Sequence, residues 1–74
     1  MEIIYIRDEF IKLGQALKLA GLVYSGTDAK EFINDGLVKV NGENETRRGK
    51  KLVPGDIISF EGNDVKIEGN KNDN

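Results

Sequence analysis

The spacing of the apolar residues changes period twice along this chain, and that switch constrains the fold more than any single motif does. Glu2-Ile3-Ile4-Tyr5-Ile6 is dense in β-branched and aromatic side chains, so it reads as a short strand ending at the charged turn Arg7-Asp8-Glu9 and lying at a sheet edge. From Leu13 the period lengthens: Leu13, Ala16, Leu17 and Ala20 recur at i, i+3, i+4 and i+7, the stripe of an amphipathic helix. Gly21 then serves as its C-terminal cap. After Gly36 the period returns to two in Leu37-Val38-Lys39-Val40. With no internal repeat and no linker, the order strand, two helices, then three or four strands predicts an α+β domain. Two helices would pack on a small, mostly antiparallel sheet of three to five short strands.

Turn residues set the boundaries. Ser25-Gly26-Thr27-Asp28 offers a side-chain oxygen to the unpaired amides of a second helix and a carboxylate to its positive end. That helix runs to about Asp35 and stops at Gly36. Ala29, Phe32 and Ile33 form its buried stripe, Asp28, Glu31 and Asp35 an acidic one, and Thr27, Lys30 and Asn34 a third face open to an anion. Asn41-Gly42 accepts the positive φ angles of a tight hairpin. Glu43 to Lys51 reads as polar and irregular, and Leu52-Val53 leads into the Pro54-Gly55 turn. Asp56 to Phe60 and Asp64 to Ile67 read as strands joined at Gly62-Asn63. One domain, 1–68, is expected, followed by a disordered tail from Gly69 to Asn74 that has no apolar anchor.

Composition matters chiefly for what it removes. The 74 residues contain neither cysteine nor histidine, so there is no disulfide, thiolate metal site, imidazole base or thiol nucleophile. The 13 carboxylates do not converge in spacing. The expectation is a protein that is not an enzyme, with no cofactor and no metal. No apolar run approaches the roughly 18 residues of a membrane span, and the block Ile3 to Ile6 is too short for a signal-peptide core. Met1 is read as the start of a cytoplasmic monomer.

The formal charge of −2 hides an uneven distribution. Residues 1–35 carry a net −2, residues 36–54 a net +3 and residues 55–74 a net −3. Arg47-Arg48-Gly49-Lys50-Lys51 packs four cations into five residues around a glycine that can bend the backbone. Arginine forks and mobile lysines suit phosphate, and alternation puts Lys39 and Asn41 on one strand side ahead of them. A solubilising surface without a partner has the same composition. The Ser25-Gly26-Thr27 corner can hold a phosphate or merely cap, and Lys12 and Lys18 can be simply solvated. Tyr5 and Tyr24 can stack bases or pack. Neutralisation of the cations by Glu43 and Glu45 would undo the phosphate reading.

Three runs carry a family resemblance: Ile11-Lys12-Leu13-Gly14-Gln15-Ala16-Leu17; then Ser25-Gly26-x-x-Ala29-Lys30-x-x-Ile33-x-x-Gly36-x-Val38-x-Val40-Asn41-Gly42; then Lys51-x-x-Pro54-Gly55-Asp56-x-Ile58. Together, over about residues 11 to 60, they resemble the S-four RNA-binding domain family, named after a small-subunit ribosomal protein, and within it the short stand-alone YaaA/YbcJ type. The resemblance implies a two-helix αL-type RNA-binding motif whose surface is made by the second helix and the loop after the V-N-G turn. Carried onto this chain, that surface comprises Lys12, Ser25, Gly26, Thr27, Lys30, Lys39, Asn41, Thr46, Arg47, Arg48, Lys50 and Lys51. Many members have arginine and aspartate where this chain has Lys12 and Gly14, and arginine where it has Gly26. The implied partner is structured RNA, ribosomal or tRNA-like, with ribosomal proteins as further partners. An adaptor docking a basic protein through the acidic faces is the alternative. A β-grasp sulfur carrier would also suit Gly55-Asp56-x-Ile58-x-Phe60, but such carriers end in Gly-Gly and this chain ends Lys71-Asn72-Asp73-Asn74.

Overall fold

Alternation along the strands puts Ile4, Ile6, Val38, Val40, Ile58, Phe60, Val65 and Ile67 on one face of a single sheet, and all eight are buried. The computed structural model describes residues 1–69. Its strands are β1 (Glu2–Ile6), β2 (Ile11–Lys12), β3 (Val38–Val40), β4 (Glu43–Asn44), β5 (Lys51–Leu52), β6 (Ile57–Phe60) and β7 (Asn63–Gly69), and its helices α1 (Leu13–Leu19) and α2 (Gly26–Asn34). Five strands form the sheet in the order β1-β7-β6-β3-β4. Only β1, at the edge as expected, pairs in parallel, with Glu2 opposite Val65 and Ile6 opposite Gly69. The other neighbours are antiparallel.

The helical stripe closes this core. Leu13, Ala16 and Leu17 of α1 and Ala29 and Ile33 of α2 are fully buried. Phe32 tilts its ring against Phe60 of β6, centroids 5.1 Å apart, which anchors α2 to the sheet centre. Each fully buried leucine or isoleucine contributes roughly 1.5–3 kcal/mol, a large share of the 5–15 kcal/mol that domains typically hold in net stability. Ser25 caps α2, its Oγ accepting from the Asp28 N–H at 3.2 Å. Gly21 and Gly36 follow the two helices as the sequence leads one to expect. Among the described residues no helix is long and apolar enough to cross a membrane.

Three boundaries differ from the expectations. The β6–β7 hairpin turns at Glu61-Gly62, with φ of +52° and +79°, one residue before Gly62-Asn63, and Phe60 pairs with Asn63. A two-residue turn of this type needs positive φ at both central positions with glycine favoured second. Asn41-Gly42, at +54° and +85°, obeys the same rule. The segment Glu43 to Lys51 is not irregular throughout: it begins in β4 and ends in β5, which pairs antiparallel with β2 as a separate ribbon, Ile11 opposite Leu52. Leu52, fully buried, pins that ribbon to the core. Finally, Gly69 belongs to β7, opposite Ile6; the rest of the expected tail, 70–74, lies outside the described residues.

Candidate functional site

The basic loop is strapped across the start of α1. This helix has no acidic residue in its first turn, and its N-cap, Lys12, supplies no side-chain hydrogen bond. Two of the amides that any helix leaves unpaired at its start are satisfied from the loop instead. The Leu13 N–H donates to the Lys50 carbonyl at 2.9 Å and the Gly14 N–H to the Arg48 carbonyl at 3.1 Å. A turn closed by the Lys50 N–H on the Arg47 carbonyl, 3.2 Å, shapes the loop between them. The β2–β5 ribbon holds its far end. Gly14 is a requirement of this contact: a Cβ there would lie 2.8 Å from the Arg48 Cγ. The stem of Arg48 therefore runs against the first turn of α1.

The near end of the loop is held by a polar clasp that joins the V-N-G and P-G-D turns. Asn41 donates through Nδ2 to the Asp56 carboxylate at 3.0 Å, and its Oδ1 accepts from the Ile57 N–H at 2.9 Å. Asp56 also accepts from the Val53 N–H at 2.9 Å, while its own N–H donates to the Val53 carbonyl, closing the proline turn. These bonds give a physical reason for the two motifs to occur together. Asn41 thus sits at the start of the loop with its amide engaged by Asp56 and Ile57.

Two clefts flank the strap, and their electrostatics differ. The first, about 360 Å³, is lined by Lys12, Gly14, Gln15, Lys18, Gly26, Arg48 and Gly49. It combines three cations with no carboxylate. The second, about 250 Å³, places Arg47 and Lys50 beside Glu43 and Glu45. There Arg47 is engaged by Glu45 through two side-chain bonds, Nε at 2.9 Å and an Nη at 3.2 Å, and the Arg47 N–H adds a third at 3.0 Å. The Arg47 hydrogen bond, assisted by its charge and that of Lys50, holds the Glu45 carboxyl below its ordinary pKa. Glu45 in turn raises that of Arg47. Neutralisation by Glu45 is thus real, and it falls on Arg47.

The remaining expected residues distribute as follows. Thr27 and Lys30 lie on the exposed face of α2, with Ser25 half-buried at its cap. Thr46 is exposed in the loop. Lys39 stands between Asn44 and Ser59 on the sheet face opposite the core, away from the helices. Lys51 places its Nζ 4.8 Å from the Phe10 ring centroid, a cation–π contact. Thus Lys12, Gly26 and Arg48 come together, whereas Lys39 does not join them. The surface expected from the sequence does not include Gln15, nor Lys18, read there as solvated, yet both line the cationic cleft. Their signal is helical spacing: 14, 15 and 18 share a face of α1.

Comparison with known proteins agrees with this architecture. RlbA of Bacillus subtilis (strain 168), named "Probable ribosome maturation protein", is 49% identical over 59 residues, covering 80% of this chain and 83% of its own. YbcJ of Escherichia coli (strain K12) is 44% identical over 57 residues, or 77% of this chain and 81% of its own. The solution structure of YbcJ from E. coli, described as revealing an αL motif involved in RNA binding, superposes with a TM-score of 0.71 at 38% identity, covering 92% and 87% of the two chains. Ribosomal protein S4e from Thermoplasma acidophilum shares the fold, with a TM-score of 0.62 at 22% identity, over 81% of this chain and 32% of its own. Residues 4–68 match the S4 domain, and on that match and these relatives the chain belongs to the S4 domain family.

Proposed function

We propose that this protein is a non-catalytic RNA-binding module that grips the backbone of structured RNA, ribosomal RNA or a ribosome-assembly particle, through the cleft between α1 and the basic loop. The observation that carries the proposal is the cleft of Lys12, Lys18 and Arg48, which has no carboxylate among its lining residues. In a chain of net charge −2, such a site attracts a polyanion locally while the body remains acidic. Gly26, at the first turn of α2, adds a backbone approach without a side chain in the way. Phosphate contacts of this kind fix register and orientation more than base sequence. The YbcJ description and the RlbA name support RNA, and the ribosome in particular, as the place to look.

The direct test is a salt titration of binding to an rRNA stem–loop. Neutralising about four or five phosphates, at roughly 0.7–0.9 each, gives a slope of log affinity against log salt of about −3 to −4. Charge reversal at Lys12 and Arg48 together should abolish binding while the thermal transition stays in place, since both side chains are exposed. Unchanged affinity in that double variant would remove the cleft from the proposal. The adaptor reading is favoured by no specific contact; a protein partner retained after nuclease digestion would revive it.

A further inference from the structure

A third concavity continues from the cationic cleft around α1, and it differs in kind. It measures about 580 Å³ and is walled by Tyr5, Phe10 and Leu19, with Arg7, Asp8, Gln15 and Lys18 as its polar residues. These three residues are 48%, 37% and 57% exposed, so a domain with few residues to bury leaves two aromatic residues and a leucine partly exposed along one groove. Lys18 and Gln15 line both this groove and the cationic cleft. Phe10, in addition, carries the Lys51 ammonium of the basic segment near its ring. The groove is therefore continuous with the surface proposed to hold phosphates, and tied to it by cations at two points.

We infer that this groove receives an unpaired nucleobase of the same RNA whose backbone lies on Lys12, Lys18 and Arg48; the inference rests on the RNA-binding reading and deepens it. A stacked base suits the walls, because every base has a π face and aromatic or apolar side chains accept it without sequence readout. The polar residues suit it as well. Asp8 supplies an acceptor for an exocyclic amine, Gln15 offers both a donor and acceptors, and Arg7 and Lys18 add donors. The volume lies within the range of small-molecule sites, roughly 300–1,000 Å³. The RNA so recognised is a stem with an unpaired residue beside it, the stem's backbone on the cleft and the loose base in the groove.

Two stem–loop RNAs of one sequence separate the inference from its parent reading: one cut flush, the other bearing a short single-stranded extension of adenosine and cytidine. The extended RNA should bind about tenfold more tightly, and Leu19→Ala should cancel that gain while leaving the flush RNA unaffected. The chain has no tryptophan and two tyrosines, so in a Tyr24→Phe background Tyr5 alone emits. Its fluorescence should be quenched by the extended RNA and unchanged by the flush one. If neither RNA binds, the RNA-binding reading fails. If both bind alike and Tyr5 emission responds to neither, the inference is overturned and the groove passes to an apolar side chain of a protein partner.

Discussion

Arg47 and Arg48 are neighbours in the chain and opposites in circumstance. Arg47 is bonded through Nε and an Nη to Glu45, two residues before it, in a cleft that also holds Glu43. Arg48 lays its stem on Gly14 and shares a carboxylate-free cleft with Lys12 and Lys18. The difference teaches that a run of basic residues is not a uniform patch. Each cation is worth what its nearest carboxylates leave available, and here the backbone strap on α1 sends one arginine toward an acid and the next away from it.

The largest expected effect tests that contrast directly. Arg48→Ala should weaken binding to an rRNA stem–loop about tenfold or more, following the ~1.5–3 kcal/mol of a hydrogen bond to a charged group. Arg47→Ala should cost less than about threefold, because its exposed ion pair must be given up before it can contact phosphate. Titrations of both variants at one salt concentration decide the matter. Equal losses would mean that the Glu45 pair opens freely on binding and that the two clefts act as one.

Next in size is Gly14→Ala, which leaves every charge in place. The added Cβ would meet Arg48 Cγ at 2.8 Å and push the side chain from its position over α1. Overpacking at such a site costs ~1–3 kcal/mol and the helix propensity of alanine over glycine returns up to ~1 kcal/mol, so folding stability should fall by no more than about 2 kcal/mol. RNA affinity should nevertheless fall about fivefold, part of the loss caused by Arg48→Ala. A melting curve paired with a binding curve reads both quantities. Affinity untouched by the substitution would show that the direction of Arg48 is not set by its packing on Gly14.

Much of this could be read from the sequence, for identifiable reasons. The two helices and the sheet face follow from local periodicity, and the Asn41-Gly42 reversal from two residues that tolerate positive φ. The β2–β5 ribbon did not show, because two-residue strands carry no period, and its partners lie about forty residues apart. The sequence shows Glu43 and Glu45 close enough to neutralise the basic run, and the structure has Glu45 paired with Arg47. Which arginine it would neutralise depends on the direction of each side chain, which only the strap decides. Lys18 reads as solvated because on a helix a lysine facing water and a lysine facing a cleft have the same spacing. The Asn41–Asp56 clasp is not legible either, because its partners belong to separate motifs fifteen positions apart.

Glu45→Gln sharpens the comparison from the other side. Removing the carboxylate charge releases Arg47 toward solvent and makes the second cleft resemble the first. Affinity for the stem–loop should rise about two- to threefold at low salt, and the salt slope should steepen by about 0.7–0.9, one added phosphate contact. A rise in affinity with no change of slope would point to relief of general repulsion by Glu45.

The smallest effect is a pH dependence confined to the Glu45 side of the loop. Its carboxyl pKa is lowered from an ordinary value near 4.5, chiefly by the Arg47 side-chain hydrogen bond. A folded-state pKa below the unfolded one means that the pair stabilises the loop fully above about pH 4.5. That contribution fades as the pH falls through the depressed value. At neutral pH it is therefore constant, and the Arg48 cleft, which has no carboxylate, should show no matching transition. Carbon-detected titration of the Glu45 carboxyl should place its midpoint below 4.5 in the native chain and closer to 4.5 in Arg47→Ala. The return should be incomplete, because the residue 47 N–H still donates to Glu45 at 3.0 Å. A midpoint unmoved by the substitution would show that the ion pair does not persist in solution, and Arg47 would then be as free as Arg48 to meet RNA.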